Sequence, residues 1–419
     1  MFDLFRRWIV SRGKRFDALA CRDFRLFTIG NSLSLVGTWM QRIGTGWFAW
    51  ESSHSSVWLG LLAFAELIPT VFLAPIAGVM ADRCDKRRVI IYCQFVAMVT
   101  AVFQACLMLS HINSLEWIFA VTLVSGIASA LCQPARLSWI STLVPPQRLA
   151  SAVAINSLCF NLARFAGPAL AGALLLKLDP SALFLLNALS YAVFIFAISR
   201  LPRIPLPVEQ GPPSYWLREA SEGFRYVVSG VPLRVTFLIV TASAVCIRGI
   251  PDLAPAIAGE MLQRGSQAFA SLVTAAGAGA LAGGIWFSGR DASEPLARLI
   301  ERHVLAASLC TLALALTHDF RLAVALFFAM GFSIVVTGIG AQTFIHLSVP
   351  QALRGRVLAL YGVVYRGGPA LSALWLGACA PLWGLRLALG VGAVLCMMTC
   401  GVATIRARSE ARRRGPPAQ

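Results

Sequence analysis

Charge is what this 419-residue chain has least of: Asp, Glu, Lys and Arg together make up 13% of it, about half the ~25% usual in a soluble domain. Acidic side chains are the scarcest, 19 against 36 Lys and Arg, which leaves a formal charge of +17. Histidine occurs only five times, and the 11 cysteines contain no C-x-x-C pair. No metal or dithiol redox centre of ordinary spacing is therefore expected, and no cofactor. A phosphate-cradling Gly-x-x-x-x-Gly-Lys-Ser/Thr loop is absent, which argues against ATP hydrolysis by this chain. There is also no His-rich cluster, nucleophile elbow or large polar domain, so an enzyme is not expected. The first 25 residues scatter Arg6, Arg7, Arg12, Lys14, Arg15, Arg22 and Arg25 among short apolar stretches. They lack the apolar core and small-residue cleavage site of a signal peptide and read as an amphipathic lead-in.

What fills the chain instead is hydrocarbon. Hydrophobic residues make up 58% of it, and 419 residues leave room for about twelve helical spans of ~20 residues. Apolar runs lie near Leu26–Trp50, Val57–Ala81, Val89–Ser110, Leu115–Cys132, Ala152–Leu176 and Ala182–Ile198. A second group lies near Val235–Ala258, Phe269–Phe287, Val304–Leu316 (a short one), Leu322–Phe344, Val357–Ala380 and Leu385–Ile405. This predicts a lead-in at 1–25, a six-helix half at 26–199, a cytoplasmic linker at 200–234 rich in Pro and Arg, a second half at 235–405, and a basic tail at 406–419. Most cysteines (Cys93, Cys106, Cys159, Cys246, Cys379, Cys396, Cys400) fall inside apolar runs, where a thiol acts as a small hydrophobe.

Loop charge sets the expected orientation. The short connections Glu51–Ser56 and His111–Ser114 carry no Lys or Arg, whereas the alternate loops carry Arg83–Arg88, Arg136 and Arg148, Arg200 to Arg225, Arg290 to Arg302, and Arg354 and Arg356. By the positive-inside rule both termini face the cytoplasm, in a multi-pass protein of a bacterial inner membrane. The same rule accounts for the positive charge with no nucleic-acid partner. Lys177, Arg264, Arg321 and Arg386 break the pattern as single charges near span ends, where they can snorkel.

The halves also look related. Val144-Pro145 precedes a span containing Gly167-Pro168-Ala169-Leu170, and Val349-Pro350 precedes one containing Gly368-Pro369-Ala370-Leu371. An arginine lies just before each Gly-Pro, Arg164 in the first half and Arg366 in the second. Repetition at equivalent steps is what a duplicated transporter shows.

The most informative stretch is Gly78-Val-Met-Ala-Asp82-Arg83-Cys-Asp85-Lys86-Arg87-Arg88, a charged knot wedged between two spans. A topogenic charge cluster is the plain reading. Its spacing also resembles the loop between spans two and three of the major facilitator superfamily, roughly G-x-x-x-D-R-x-G-R-R, with Gly78, Asp82, Arg83, Lys86 and Arg87 in register and Asp85 in place of a glycine. With Gln133-Pro134-Ala135-Arg136, Leu143-Val144-Pro145, Arg164 to Gly172 and Arg354-Gly355-Arg356-Val357, the chain resembles the twelve-span drug and siderophore exporter branch, which includes macrolide efflux and enterobactin export proteins. That resemblance implies an all-α membrane protein of the major facilitator fold, with about twelve transmembrane helices in two pseudo-symmetric six-helix halves. It further implies a conformational latch at Gly78, Asp82, Arg83, Lys86 and Arg87, with Gly78 allowing a close helix approach, and helix kinks at Gly167-Pro168 and Gly368-Pro369. The arginine that many proton-coupled drug exporters carry in span four is missing.

Charges in mid-membrane are costly unless paired or hydrated, ~2.5–3.5 kcal/mol each on insertion scales, and are the natural candidates for substrate or proton handling. Arg42 lies ~24 Å into span one, and Glu66 lies ~22 Å from the Ala81 end of span two. Glu66 is the candidate protonatable group. Arg248 and Asp252 stand four apart in span seven and are expected to pair on one helix face, as a functional or a purely structural couple. Arg164 and Arg366 either bind an anion or pair with helix carbonyls. The expected activity is secondary active transport, namely proton-coupled efflux of a drug-like compound or siderophore by alternating access. The expected partners are protons, membrane lipids and the small-molecule substrate, and the unit is a functional monomer. An uptake symporter or lipid transporter of the same fold, and a non-transporting membrane sensor, are the alternatives.

Overall fold

The computed structural model describes residues 17–110, 114–202, 216–290 and 295–414, excepting the side chains of residues 82, 216–220 and 407–414. The lead-in before residue 17 and most of the linker (203–215) lie outside the described residues. Helices α1 (Arg22–Ser53), α2 (Ser56–Arg83), α3 (Lys86–Leu109), α4 (Leu115–Ile140), α5 (Leu149–Leu174) and α6 (Ser181–Ser199) form the first group. A shorter α7 (Trp216–Ser229) follows, then α8 (Val231–Cys246), α9 (Ser266–Ser288), α10 (Leu296–Leu316), α11 (Phe320–Ser348), α12 (Gln351–Trp383) and α13 (Leu385–Arg414). In hydrocarbon every backbone N–H and C=O needs an internal partner, and runs of this length meet that need only as helices.

Among the described residues, eleven helical segments are long and apolar enough to cross a membrane. The expected twelfth, α1, has the length, 32 residues or ~48 Å at helical rise, but not the composition. It carries Asp23, Arg25, Arg42 and Glu51 and a run of polar side chains. The short ninth span is corrected as well: α10 starts at Leu296, eight residues ahead of the apolar run, and has 21 residues. Arg298, Glu301 and Arg302 lie in its first turns and hid the start.

The helices sort into two compact units, residues 1–45 with 72–211, and residues 46–71 with 212–419. In the first unit α1 offers a stripe of Asn31, Ser34, Thr38 and Gln41, spaced three, four and three so that all lie on one helix face. Each meets a polar partner. Asn31 Nδ2 donates to Asn156 Oδ1 (3.5 Å), Ser34 Oγ to Gln94 Oε1 (3.3 Å), and Thr38 Oγ1 pairs with the Tyr191 hydroxyl (3.0 Å). Gln41 Nε2 donates to Gln104 Oε1 (2.6 Å) and its Oε1 accepts from Asn187 Nδ2 (2.5 Å). The polar stripe that lowers α1's hydropathy therefore binds it to α3, α5 and α6. One end of this unit is closed by a core of Phe24, Phe27, Trp139, Ile140, Phe194 and Ile198, with Phe27 edge-on to both Trp139 and Phe194. Residues just before α1 are pinned to α5: Arg148 meets Asp17 (3.0 Å) and Cys21 (3.4 Å), and Ala18 N–H donates to Ser151 Oγ (3.3 Å).

The second unit relies on backbone contact. Its most extensive seam joins α9 and α11, where a Cβ on Gly279 would strike the Phe328 carbonyl oxygen and one on Gly331 that of Ala276. Small residues let helices approach this closely, and in lipid such packing replaces hydrophobic burial as the force between spans. The first half of α2 docks the same way, with a Cβ on Gly60 coming within 2.6 Å of the Ala373 oxygen on α12.

The seventh span is not one helix. α8 stops at Cys246, and the chain continues through a 3-10 turn (Ile250–Leu253), one helical turn (Ala254–Ala256) and a π-turn (Ile257–Met261). Broken backbone survives at membrane depth only where protein satisfies it. Here α12 does so from one face: Trp375 Nε1 donates to Val245 O (2.6 Å), and Gly249 N–H donates to Ser372 Oγ (3.0 Å). Arg386, which the sequence suggests will snorkel, instead donates to Ala315 O, Thr317 O and Met261 O (3.0, 2.6 and 2.9 Å), capping two chain ends with one guanidinium. Between α12 and α13, Gly384 takes φ +83° and its N–H donates to Ala380 O (2.8 Å), a left-handed stop that suits glycine.

Two stability outcomes follow. Gly331→Leu, which drives a side chain into the Ala276 carbonyl, should cost about 1–3 kcal/mol and lower the thermal unfolding midpoint in detergent, whereas Gly78→Ala, where a Cβ meets nothing within 4 Å, should leave it unchanged. Trp375→Phe keeps an aromatic ring, smaller than the indole, but orphans the Val245 carbonyl. A loss of about 1–3 kcal/mol is expected on the same assay.

Candidate functional site

In each unit the Gly-Pro repeat builds a cluster in which a guanidinium group sits on an aromatic ring. In the first unit, a Cβ on Gly167 would collide with the Cβ of Trp39, so α5 lies directly on α1. That contact brings Arg164, one turn before Gly167, over the indole of Trp39 at 5.7 Å, while Arg42, one turn on from Trp39, lies 5.3 Å from the same ring. Phe160 meets Trp39 edge-on at 6.4 Å. Two cations thus share one indole face set, a contact worth about 0.5–2 kcal/mol each according to how dry the site is.

In the second unit Gly368 plays the part of Gly167: a Cβ there would collide with that of Ala244 on α8, so α12 lies on the first span of its own unit. Three residues before Gly368 stands Tyr365, at the offset that Arg164 has from Gly167. Arg248 lies 3.6 Å from the centre of the Tyr365 ring. Tyr361 packs on Tyr365 at 5.2 Å and donates its hydroxyl to Gly338 O (2.8 Å). Cation and ring have therefore exchanged places between the halves. In the first unit the cation is on the Gly-Pro span, and in the second the ring is.

This register corrects the pairing read from sequence. Arg366 is two residues before Gly368, not three, and it is exposed, so Tyr365 rather than Arg366 matches Arg164. The expected i, i+4 face of Arg248 and Asp252 is also lost, because the helix ends at Cys246 and Asp252 lies in the following 3-10 turn, its N–H donating to Gly249 O (3.0 Å). Arg42 belongs to the first unit, whereas Glu66, half-buried on α2, belongs to the second. Gln104 and Tyr361 are buried and bonded internally.

At the charged loop, Asp85 explains its own departure from the glycine pattern. It has φ −60° and ψ 106° and is the N-cap of α3, accepting from Arg87 N–H (3.0 Å) and Arg88 N–H (3.5 Å). A capping carboxylate at negative φ needs no glycine. Arg87 donates to Ser199 O at the end of α6, a cation on a helix C-terminus. Arg83 is exposed and Lys86 half-buried, while the side chain of Asp82 lies outside the described residues. The close approach expected at Gly78 is absent, since a Cβ there meets no atom within 4 Å. Pro168 and Pro369 lie inside α5 and α12, and the glycines beside them are points of contact with a neighbouring helix. The exchanged ring in the second half was legible only as a three-residue offset, which the more conspicuous Arg366 obscured.

Comparison with known proteins agrees with this architecture. A family model described as a transmembrane secretion effector matches residues 14–413. The staphyloferrin A transporter of Staphylococcus aureus is 28% identical over 228 residues, which are 52% of this chain and 56% of that protein. The enterobactin exporter EntS of Shigella flexneri is 26% identical over 305 residues, 72% of this chain and 71% of its own. Among solved structures, a bacterial homolog of the human lysosomal transporter Spinster superposes with a TM-score of 0.73 at 16% identity, covering 95% of this chain and 99% of that one. The nucleoside transporter NupG (D323A mutant) gives a TM-score of 0.70 at 14% identity over 92% and 99%. Family and fold are alike those of multi-pass membrane transporters, and the chain belongs to the transmembrane secretion effector family of the major facilitator superfamily.

Proposed function

We propose that this transporter exports a small organic anion, of the siderophore or anionic drug kind, across the bacterial inner membrane in exchange for protons. The observation that carries the reading is the pair of guanidinium groups on Trp39. Two positive charges held on one ring within the spans are a ready receptor for a carboxylate or catecholate group, and the indole suits an apolar or aromatic body. Arg248 on Tyr365 offers a second point of the same chemistry. Relatives named for staphyloferrin A transport, enterobactin export and macrolide efflux support the export reading.

In the proposed cycle both termini are cytoplasmic and the two halves rock about a midplane site as a monomer. Glu66 takes up a proton on one side and gives it up on the other, so that its charge state biases which side is open. Asp82 and its basic neighbours latch the cytoplasmic side.

Everted vesicles test the direction and the coupling. With staphyloferrin A, enterobactin and a macrolide as probes, accumulation of an anionic probe is expected, and a protonophore should abolish it. Accumulation only in right-side-out vesicles would make the chain an importer, and accumulation that persists with the gradient collapsed would sink the proton coupling. Glu66→Gln should remove gradient-driven accumulation while leaving substrate exchange intact.

Arg42→Gln and Arg164→Gln each remove one charge-assisted contact. A charged hydrogen bond contributes about 1.5–3 kcal/mol, so each should raise KM for the anionic probe roughly 10- to 150-fold. A KM unchanged in both variants would place the anion elsewhere.

A further inference from the structure

Helix α7 spans nothing. Among the described residues it is the most amphipathic helix, with little net hydrophobicity, and a single residue, Gly230, separates it from the span that starts at Val231. Its end is tied to that span, because Arg234 Nη1, one turn into α8, donates to Val228 O (3.4 Å). A helix joined so closely to the mouth of a span lies at the membrane surface.

Helix register divides α7 into three faces. The first is docked on α12: Gly223 and Val227 are buried, and a Cβ on Gly223 would come within 3.1 Å of the Arg356 side chain. The second is apolar and uncovered, with Phe224 61% exposed and Val228, one turn on, 42% exposed. The third carries Arg225, exposed, beside that apolar strip. The acidic Glu222 is drawn away from it into an ion pair with Arg356.

An apolar strip bordered by a guanidinium fits neither water nor the bilayer core. It fits the boundary between them, where the strip reaches acyl chains and the cation meets phosphate. The strip also continues a lipid-facing surface, since α8, directly joined to it, leaves Leu238 47% exposed.

We propose that α7 binds the headgroups of acidic phospholipids and relays that contact to α12. Phe224 and Val228 seat the helix among the acyl chains, and Arg225 holds a headgroup phosphate by charge-assisted hydrogen bonds. The relay is the Glu222–Arg356 pair, which ties the lipid-bound helix to the first turns of α12.

The test is hydrogen–deuterium exchange on the full chain in nanodiscs of phosphatidylcholine, with and without phosphatidylglycerol. With phosphatidylglycerol, the amides of 221–229 should exchange about 5-fold more slowly, the factor that one arginine near an anionic surface supplies. Those of 351–360 should slow as well, and molar salt should erase both differences. Arg225→Gln should remove the dependence on phosphatidylglycerol, and Arg225→Lys should keep most of it. Phe224→Ser should speed exchange of α7 in both lipids. Glu222→Gln should keep the slowing in α7 and lose it in α12. Equal exchange of 221–229 in the two lipids, in protein that keeps its thermal midpoint, would overturn the lipid site. A slowing that follows protein concentration instead of lipid would assign the apolar strip to a second copy and overturn it too. Slowing of α12 that survives Glu222→Gln would overturn the relay.

Discussion

Helices in lipid gain almost nothing by hiding hydrocarbon from one another, because the acyl chains are as apolar as leucine. What holds such spans together must be contacts that lipid cannot offer, and this chain makes them by removing side chains. Gly167 of α5 against α1, Gly368 of α12 against α8, and Gly279 with Gly331 along the α9–α11 seam all bring helices to distances that a Cβ would forbid. Position follows from these contacts. Arg164 reaches Trp39, and Tyr365 lies over Arg248, only because the glycine one turn away lets the two helices touch. The guanidinium–aromatic clusters are therefore consequences of the packing rule, with the chemistry fixed by which residue stands three before the glycine.

The two units meet the same physical demand by different means. In the first, α1 carries amide and hydroxyl side chains that bond across to α3, α5 and α6. In the second, side-chain donors are spent on a broken backbone, with Trp375 and Ser372 serving the gap after Cys246 and Arg386 serving the ends of α10 and the π-turn. Polar groups inside hydrocarbon are tolerated when satisfied and costly when not, and a substitution at any of these donors would orphan its acceptor.

Most of the architecture was legible because hydropathy and loop charge report directly on the lipid environment. Eleven spans, the duplicated Gly-Pro step and the charged Gly78–Arg88 loop all carry that signal. The errors have a common cause: linear polarity does not say what a polar residue faces. α1 carries a stripe of Asn31, Ser34, Thr38 and Gln41 whose polarity serves to bind neighbouring helices. Arg386 looks like a snorkelling cation and is a cap. Arg298, Glu301 and Arg302 hid the first turns of α10. The break after Cys246 was the least legible feature, since the predicted span from Val235 to Ala258 runs straight across it despite Arg248, Pro251, Asp252 and Pro255, and the donors on α12 and Arg386 make an irregular path there stable.

The exchange of cation and ring between the halves bears on why arginine recurs at these positions. Lysine would offer a point charge that lipid depth would strip of water, whereas the guanidinium is planar, weakly hydrated and able to lie on an aromatic face. A ring beside the cation lowers the cost of its burial without neutralising it. With only 19 acidic residues in the chain, aromatic rings recur as neighbours of the guanidinium groups of Arg42, Arg164 and Arg248 in the spans.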